Sequence, residues 1–541
     1  MVDEVGQAIN QAAQKIYNQG VEVQLSRPDP RFGDLATNVA MVLAKKLGQT
    51  PAEVAKKLCQ ELAANQLFKS AEPAGPGFIN LKLNDQFVIK AALYAADLPK
   101  IYAGQEILVE FGDPNPFKEM HIGHAYSYIV GDSISTLLEV AGATVHRLSY
   151  HGDVGLHVAK AIWGMKKEGL DLGKVGDGVK LNIGHYYALG AKAYETDAAA
   201  KSDIENLNQH IYIGGGDIKQ LYEQGRQKSL ANFELTLDDL GISRPKQYFE
   251  SQAARIGAEL VEQNTPKVFE ESDGAVVFKG EKAGLHTRVF ITSAGLPTYE
   301  AKDLGLAVMK DKDYPAANES IIITAHEQAE YFKVMLAALA EINQPLAAKT
   351  KHLYHGFVSL SSGKMSSRTG EVYSAVGLIV DVDEAVKKSF GKDNDSVRNA
   401  AIKYGFLKHR LGTDIVYDVA QSVSLEGNSG PYLQYAHARA ASVLAKVKNP
   451  GKVNDLEASE RALALKISEY PEVVAKSVAE LMPHHIGGYL YELCQAFNRF
   501  YEQSRVIGDA REDARLALVK AYKDVLASGL SILNIEAPEK V

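Results

Sequence analysis

A chain of 541 residues with 46% hydrophobic and 23% charged content has ordinary globular usage and exceeds what one core organises, which excludes a disordered or fibrous protein and predicts roughly two to four domains. A formal net charge of −8 excludes a globally basic surface, so any nucleic-acid contact has to be locally basic or aromatic. Cys59 and Cys494 stand far apart with no second ligand beside either, and the chain opens on acids, so no zinc site, no disulfide, no leader, no membrane span and a cytoplasmic location are expected.

Helical patterns at Val5–Tyr17, Leu35–Leu47 and Pro51–Ala64 alternate with a strand-like run at Gly77–Leu83, which predicts a small α+β module over residues 1–98. The periodicity lapses between Leu98 and Gln105. Residues 105–385 then read as a catalytic domain. The apolar run Ile107–Phe111, the loop Gly112–Met120, a helix through Ile129, Ile134, Leu137 and Leu138, and the run Thr144–Tyr150 form a βαβ unit. Such a unit predicts an α/β fold with a Rossmann-like parallel sheet and ligands at the strand carboxyl ends. The runs Val289–Thr292, Ile321–Thr324 and His352–Leu360 are expected to complete that sheet. The polar, helix-rich stretch from about 170 to 280, with three glycines at 214–216, reads as an insertion. Strand signals nearly vanish after Asp381, which predicts an all-α domain over 386–541.

Two segments carry chemistry. VEFGDPNPFKEMHIGHAYSY places His121-Ile122-Gly123-His124 at a strand-to-helix transition, where main-chain N–H groups can face phosphate. Gly123, without a Cβ, lets a nucleotide approach the backbone. Alone, the pair can equally be two histidines capping an amphipathic helix. LSSGKMSSRTG carries Lys364-Met365-Ser366-Ser367-Arg368 in a Gly/Ser-rich loop, from which an ammonium can swing onto polyphosphate. Alone, it would be a solvated basic loop. Together they resemble the HIGH and KMSKS signatures of class I aminoacyl-tRNA synthetases. PNPFKEMHIGH is similar to the SPN-xxK-xxHxGH element of the arginyl-tRNA synthetase family, and GNSGPYLQYAHAR resembles that family's GNTGPYLQYAHAR.

The resemblance implies activation of L-arginine by Mg-ATP and transfer to tRNA(Arg), and a monomer is the default expectation. It implies catalytic roles for His121, His124, Lys118 and Lys364, with either lysine able to serve the pyrophosphate. ATP is expected on Pro116, His121, Gly123, His124, Lys364, Met365 and Ser366. Arginine is expected on Glu110, Asn115, His124, Tyr299, Asp303 and Gln328, because carboxylates match the planar donor fork of a guanidinium. Lysine cannot reproduce that fork, so no editing domain is expected. Asp153 and His157 are expected to line the site.

For tRNA, the resemblance points to Tyr432, Tyr435 and Arg439, which share one helical face, and to Tyr501 and Arg505, all facing the anticodon. Phe78 and Asn80 in the first module approach the tRNA elbow. Periodicity alone would pack the two tyrosines into a helical core. Three elements depart from the family pattern: His124-Ala125-Tyr126-Ser127 replaces HxGHLRS, Gly152-Asp153-Val154-Gly155 replaces GDWG, and SAGLPTYEAKD replaces SDGTPTYLTRD. The chain also ends on Val541 where the family carries methionine.

Overall fold

The structure is a computed structural model that describes residues 1–176, 181–212, 218–361, 373–446 and 451–540. Lys364, Met365, Ser366, the glycines at 214–216 and Val541 lie outside the described residues.

In the first module, the helices Val2–Tyr17, Val39–Leu47 and Pro51–Leu62 accompany a four-stranded antiparallel sheet. Thr50 and Glu53 form a capping box that starts the third helix, with Pro51 in its first turn. The expected helix from Leu35 is shorter. Leu35–Thr37 is a strand paired with Phe78–Leu83, and all three of its residues are buried. An apolar run covered on both faces looks the same as helix in a sequence.

The central sheet is wholly parallel. Its spatial order is Thr350–His355, Glu319–Ala325, Glu106–Glu110, Thr144–His151, Lys246–Phe249. The chain builds outward from Glu106–Glu110 in one direction and later returns to build in the other. The switch between Glu106–Glu110 and Glu319–Ala325 therefore opens a crevice at their carboxyl ends, where open α/β sheets bind ligands. The helix Ile122–Val140 leaves directly from that crevice. It lies close on the sheet because residue 131 is glycine. A Cβ there would come within 2.1 Å of the Phe111 ring.

Two expectations about this sheet need correction. Arg288–Ile291 is not part of it. The segment pairs antiparallel with Ala275–Phe278 in a separate three-stranded sheet, where Phe290 packs against Phe269 and Phe278. The run His352–Leu360 is two strands, and Val358–Leu360 pairs with Ile415–Tyr417 instead. The polar stretch expected as one insertion is also interrupted by Lys246–Phe249, which returns to the parallel sheet. The helices Leu156–Lys167, Ile183–Thr196, Ala198–Tyr212 and Lys219–Asp239 precede that strand, and the small antiparallel sheet follows it.

The carboxyl-terminal part is helical, running from Ala375–Phe390 to Glu512–Ile532, with the short strand Ile415–Tyr417 the exception among the described residues. It grips the carboxyl half of the helix Ile122–Val140. Ser133 donates to the Ile532 carbonyl at 3.0 Å, Thr136 donates to Asn534 Oδ1 at 2.9 Å, and Asn534 Nδ2 donates to Asp132 at 2.8 Å. Lys403, buried, donates to the Asn534 and Gly241 carbonyls at 2.7 and 2.9 Å. No helix of the described residues is long and apolar enough to cross a membrane.

Candidate active site

His121 is the N-cap of the helix Ile122–Val140, and His124 is its third helical residue. The His121 N–H donates to His124 Nδ1 at 3.2 Å, and the His124 N–H donates to His121 Nδ1 at 3.3 Å. The rings stack with centroids 3.5 Å apart. Gly123 favours this arrangement. A Cβ would stand 3.0 Å from His121 Cε1, closer than ordinary van der Waals contact, so the imidazole folded back over the helix start would have to shift to make room for it.

This reciprocal cap fixes the chemistry of both rings. With each Nδ1 accepting a main-chain N–H, a neutral ring must carry its proton on Nε2. Burial, Lys118 and His355 lower the His121 pKa to about 4. Burial, His121 and His355 lower that of His124 in the same direction. At neutral pH the pair therefore offers two neutral Nε2–H donors at a helix N-terminus, where the macrodipole and free N–H groups also favour an anion. Lys118 lies over the Tyr187 ring at 5.1 Å, and burial followed by Lys160 lowers its pKa. The main chain also returns here after residue 372. Ile122 N–H donates to the Tyr373 carbonyl and Ala375 N–H donates to the Met120 carbonyl, both at 2.9 Å.

The floor of the crevice is acidic. Glu110, at the end of its strand, bonds Lys310 at 2.7 Å, and both side chains are almost completely buried. Glu250 bonds Lys302 at 2.8 Å, also buried. Asp153 has no exposed surface. It accepts from Tyr222, Arg226, the Ser251 hydroxyl and the Ser251 N–H. Asp303 has no ion-pair partner among the described residues. Burial, Glu110 and Glu250 push its carboxyl well above the usual range. Tyr299, one helical turn before it, is 66% exposed and shares its ring face with the Lys302 ammonium at 5.1 Å. Asn115 Oδ1 accepts the Gly152 N–H at 3.2 Å. Gln328 stands exposed just past the carboxyl end of Glu319–Ala325, across the switch from Glu110. Pro116 lies buried in the loop between Asn115 and Lys118.

His157 bonds the Gly152 carbonyl at 2.9 Å and His151 bonds the Pro114 carbonyl at 2.7 Å. Burial lowers each pKa to about 4. Sequence reasoning missed Asp113, Tyr150, Lys302 and Lys310. The two lysines lie on the helix Tyr299–Asp313, where ordinary surface lysines would be assumed. The Tyr150 hydroxyl is buried with no hydrogen-bond partner, and Asp303 is the largest charge acting on it. Among the described residues no three His, Cys, Asp or Glu side chains form a metal-ligand group.

The buried neutral histidines predict an acid-sensitive fold. His121, His151, His157 and His352 keep pKa values of about 4 in the folded chain, against about 6.5 unfolded. Below pH 6.5 the unfolded state binds protons that the folded state refuses, so stability falls as pH drops toward 4. The expected slope is about 1.4 kcal/mol per pH unit for each such histidine. Urea unfolding between pH 7 and 5 would measure it, and His352→Gln should remove about one proton from the slope. An unchanged slope in His352→Gln would contradict the burial of that ring.

Away from the crevice, Tyr435 on the helix Gly430–Leu444 is 48% exposed, while Tyr432 is half-buried against Tyr491 and accepts from Asn498 at 2.9 Å. The Arg439 guanidinium lies over the Tyr501 ring at 4.4 Å. The structure thus brings Tyr432, Arg439 and Tyr501 together around Asn498. Arg505 donates to the Ile507 carbonyl instead of joining them. Phe78, Asn80 and Lys82 share the solvent side of their strand. Asn80 and Lys82 line a cavity of about 750 Å³ between the first module and the helices Ala458–Ser468 and His484–Gln503.

Comparison with known proteins agrees with this geometry. Residues 3–83 match the family described as arginyl tRNA synthetase N terminal domain, 88–410 the class I (R) tRNA synthetase catalytic domain, and 433–541 the DALR anticodon binding domain. The arginine–tRNA ligase of Treponema pallidum is 28% identical, over 95% of this chain and 94% of its own. That of Methanoregula boonei is 30% identical, over 93% and 94%. The arginyl-tRNA synthetase structure from Thermus thermophilus superposes with a TM-score of 0.83 at 26% identity, covering both chains completely.

Proposed function

The chain belongs to the arginyl-tRNA synthetase family and aminoacylates tRNA(Arg), with arginine and ATP as its other substrates, and from that premise we propose how its residues divide the reaction. The arginine carboxylate attacks the α-phosphate of ATP, giving arginyl-adenylate and pyrophosphate. The terminal ribose hydroxyl of the tRNA then takes the arginyl group. His121 and His124 donate Nε2–H to the α-phosphate oxygens as negative charge grows on them. Placed donors of this kind are the main protein contribution to transfer at phosphorus. The observation that carries this reading is the reciprocal cap, which leaves both Nε2 atoms protonated and free of the helix.

Lys118 and Lys364 attend the departing pyrophosphate. Lys118 is supported by its place three residues before His121, and Lys364 by its motif. Pro116, Gly123, Met365 and Ser366 shape the nucleotide subsite, and Mg2+ arrives on the triphosphate as part of the substrate. Asp303 and the Glu110 oxygen not bonded to Lys310 grip the guanidinium, with the Tyr299 ring beside it. Asn115, His124 and Gln328 hold the other end of the amino acid, and Asp153 braces the wall through Arg226, Tyr222 and Ser251. The aromatic group of Tyr432, Tyr435, Arg439 and Tyr501, with Arg505, receives the anticodon. Phe78 and Asn80 meet the tRNA elbow. The enzyme works as a cytoplasmic monomer.

The test is a charging assay with purified tRNA(Arg), comparing arginine with lysine, on the intact chain and on Asp303→Asn. Arginine should be charged and lysine not. The substitution should raise the KM for arginine about 10- to 100-fold, the range for a lost charge-assisted hydrogen bond, while the KM for ATP holds. An unchanged arginine KM would remove Asp303 from the pocket.

A further inference from the structure

Tyr222, Gly225, Arg226 and Ser229 stand at spacings of three and four along the helix Lys219–Asp239 and so share one face. That face meets two segments of the active-site wall. Tyr222 and Arg226 both donate to Asp153 Oδ2, at 2.9 and 2.8 Å. Tyr222, Gly225 and Ser229 meet Phe117, which lies between Asn115 and Lys118 in the loop that leads from Glu110 to His121. The SPN-xxK pattern leaves position 117 open, so the resemblance gives Phe117 no role.

The helix holds Phe117 by backbone and by ring. The Phe117 N–H donates to the Ser229 hydroxyl at 3.0 Å, and that hydroxyl, on a residue with no exposed surface, donates in turn to the Gly225 carbonyl at 2.8 Å. The ring stacks on Tyr222 with centroids 6.0 Å apart and an interplanar angle of 18°. It also rests directly on Gly225, where a Cβ would come within 2.4 Å of it. The backbone explains why such holding is needed. Phe117 has φ +66°, a left-handed conformation that is costly for a bulky side chain and persists only where its surroundings enforce it. The residue is completely buried, in a cluster with Val154, Val158 and Ile211. Releasing it into an ordinary conformation would re-aim the chain on either side, which carries Asn115 and Lys118.

The helix is itself fixed at both ends. Past its carboxyl end, Arg398 donates to the Asp239 carbonyl and Lys403 to the Gly241 carbonyl, both from the helix Asp395–Leu407. Toward its amino end, the Arg226 guanidinium lies over the ring of Phe249, the last residue of the parallel strand Lys246–Phe249, at 4.9 Å. We propose that this face of the helix Lys219–Asp239 is a template for the loop before His121, with Tyr222, Gly225 and Ser229 as positioning residues that act through Phe117 on Asn115 and Lys118. This rests on the roles given above to Asn115 and Lys118, and it gives the helical stretch between the strands Thr144–His151 and Lys246–Phe249 a part in the activation step.

The experiment is pyrophosphate exchange by the full chain with tRNA present, together with Tm, for Gly225→Ala, Ser229→Ala, Phe117→Gly and the double change Phe117→Gly with Gly225→Ala. Gly225→Ala sets a methyl against the Phe117 ring and should lower kcat about 10- to 100-fold, the effect of displacing reacting groups by about 1 Å, while the KM for tRNA in charging stays within about twofold. Ser229→Ala should lower kcat too. Alanine favours a helix over glycine, so a Gly225 with no part in positioning would give a raised Tm and an unchanged rate. Phe117→Gly frees the backbone and should slow exchange by itself. Adding Gly225→Ala to it should then change the rate less than about twofold, because the ring that the methyl would strike has gone. Normal exchange in Gly225→Ala, a Gly225→Ala loss undiminished in the Phe117→Gly background, or equal losses of exchange and tRNA binding with a lowered Tm would overturn the proposal. If Lys118→Met and Asn115→Ala leave exchange unchanged, it is the assignment of the loop's residues that fails.

Discussion

His124→Ala is expected to lower the rate of arginyl-adenylate formation about 100-fold or more, with the KM for ATP changed only a few-fold. Removing one placed donor from a developing oxyanion costs about 3 kcal/mol of transition-state stabilisation, and that loss appears in kcat rather than in ground-state binding. The reciprocal cap sharpens the expectation. His124 also accepts the His121 N–H and stacks on its ring, so removing it frees the partner imidazole. The double substitution His121→Ala with His124→Ala should therefore cost less than the sum of the singles. His124→Gln, whose amide can place a donor near the former Nε2, should recover part of the rate. His124→Asn, whose amide reaches only the Nδ1 position, should not. Pyrophosphate exchange with tRNA present measures all five, the single His121→Ala included, and near-normal exchange in His124→Ala would remove the pair from the chemistry.

Lys310→Met should destabilise the folded chain by about 3–5 kcal/mol, the typical cost of leaving one member of a buried ion pair without the other. Both side chains are nearly inaccessible, so water cannot screen Glu110 once the ammonium has gone. The double change Glu110→Gln with Lys310→Met should restore most of that stability, since it leaves no orphaned charge. Chemical denaturation of the singles and the double is the measurement. A loss in Lys310→Met that the second change does not repair would show that Lys310 acts through packing of its stem.

The HIGH element was legible because its residue types, order and place after an apolar run are all local in the sequence, and the helix it starts is strongly patterned. The parallel strands at Ile107, Thr144 and Ile321 were legible for the same reason. Lys246–Phe249 was not, because it is four residues long and buries only Tyr248 deeply within a polar stretch. Arg288–Ile291 reads from sequence as a strand of the parallel sheet but belongs to the antiparallel one. Strand propensity is local, whereas partnership depends on Phe269 and Phe278, which precede it by a turn and a loop. The counter-ions of the site were hidden in another way. Lys302 and Lys310 sit on a helix whose face toward Glu250 and Glu110 is set by tertiary packing, and nothing in the spacing distinguishes them from solvated lysines.

The fastening of Asp132, Ser133 and Thr136 to Ile532 and Asn534 gives the imidazoles a lever. A helix of 19 residues is about 28 Å long at about 1.5 Å per residue, with the two rings at one end and the anchorage toward the other. Rotating the held part by about 5° about that anchorage, which lies about 17 Å from the rings, would carry them about 1.5 Å, enough to misplace a donor against phosphorus. The carboxyl-terminal helices therefore do more than dock an RNA at a distance. They set the aim of the end of the rod that carries the two imidazoles.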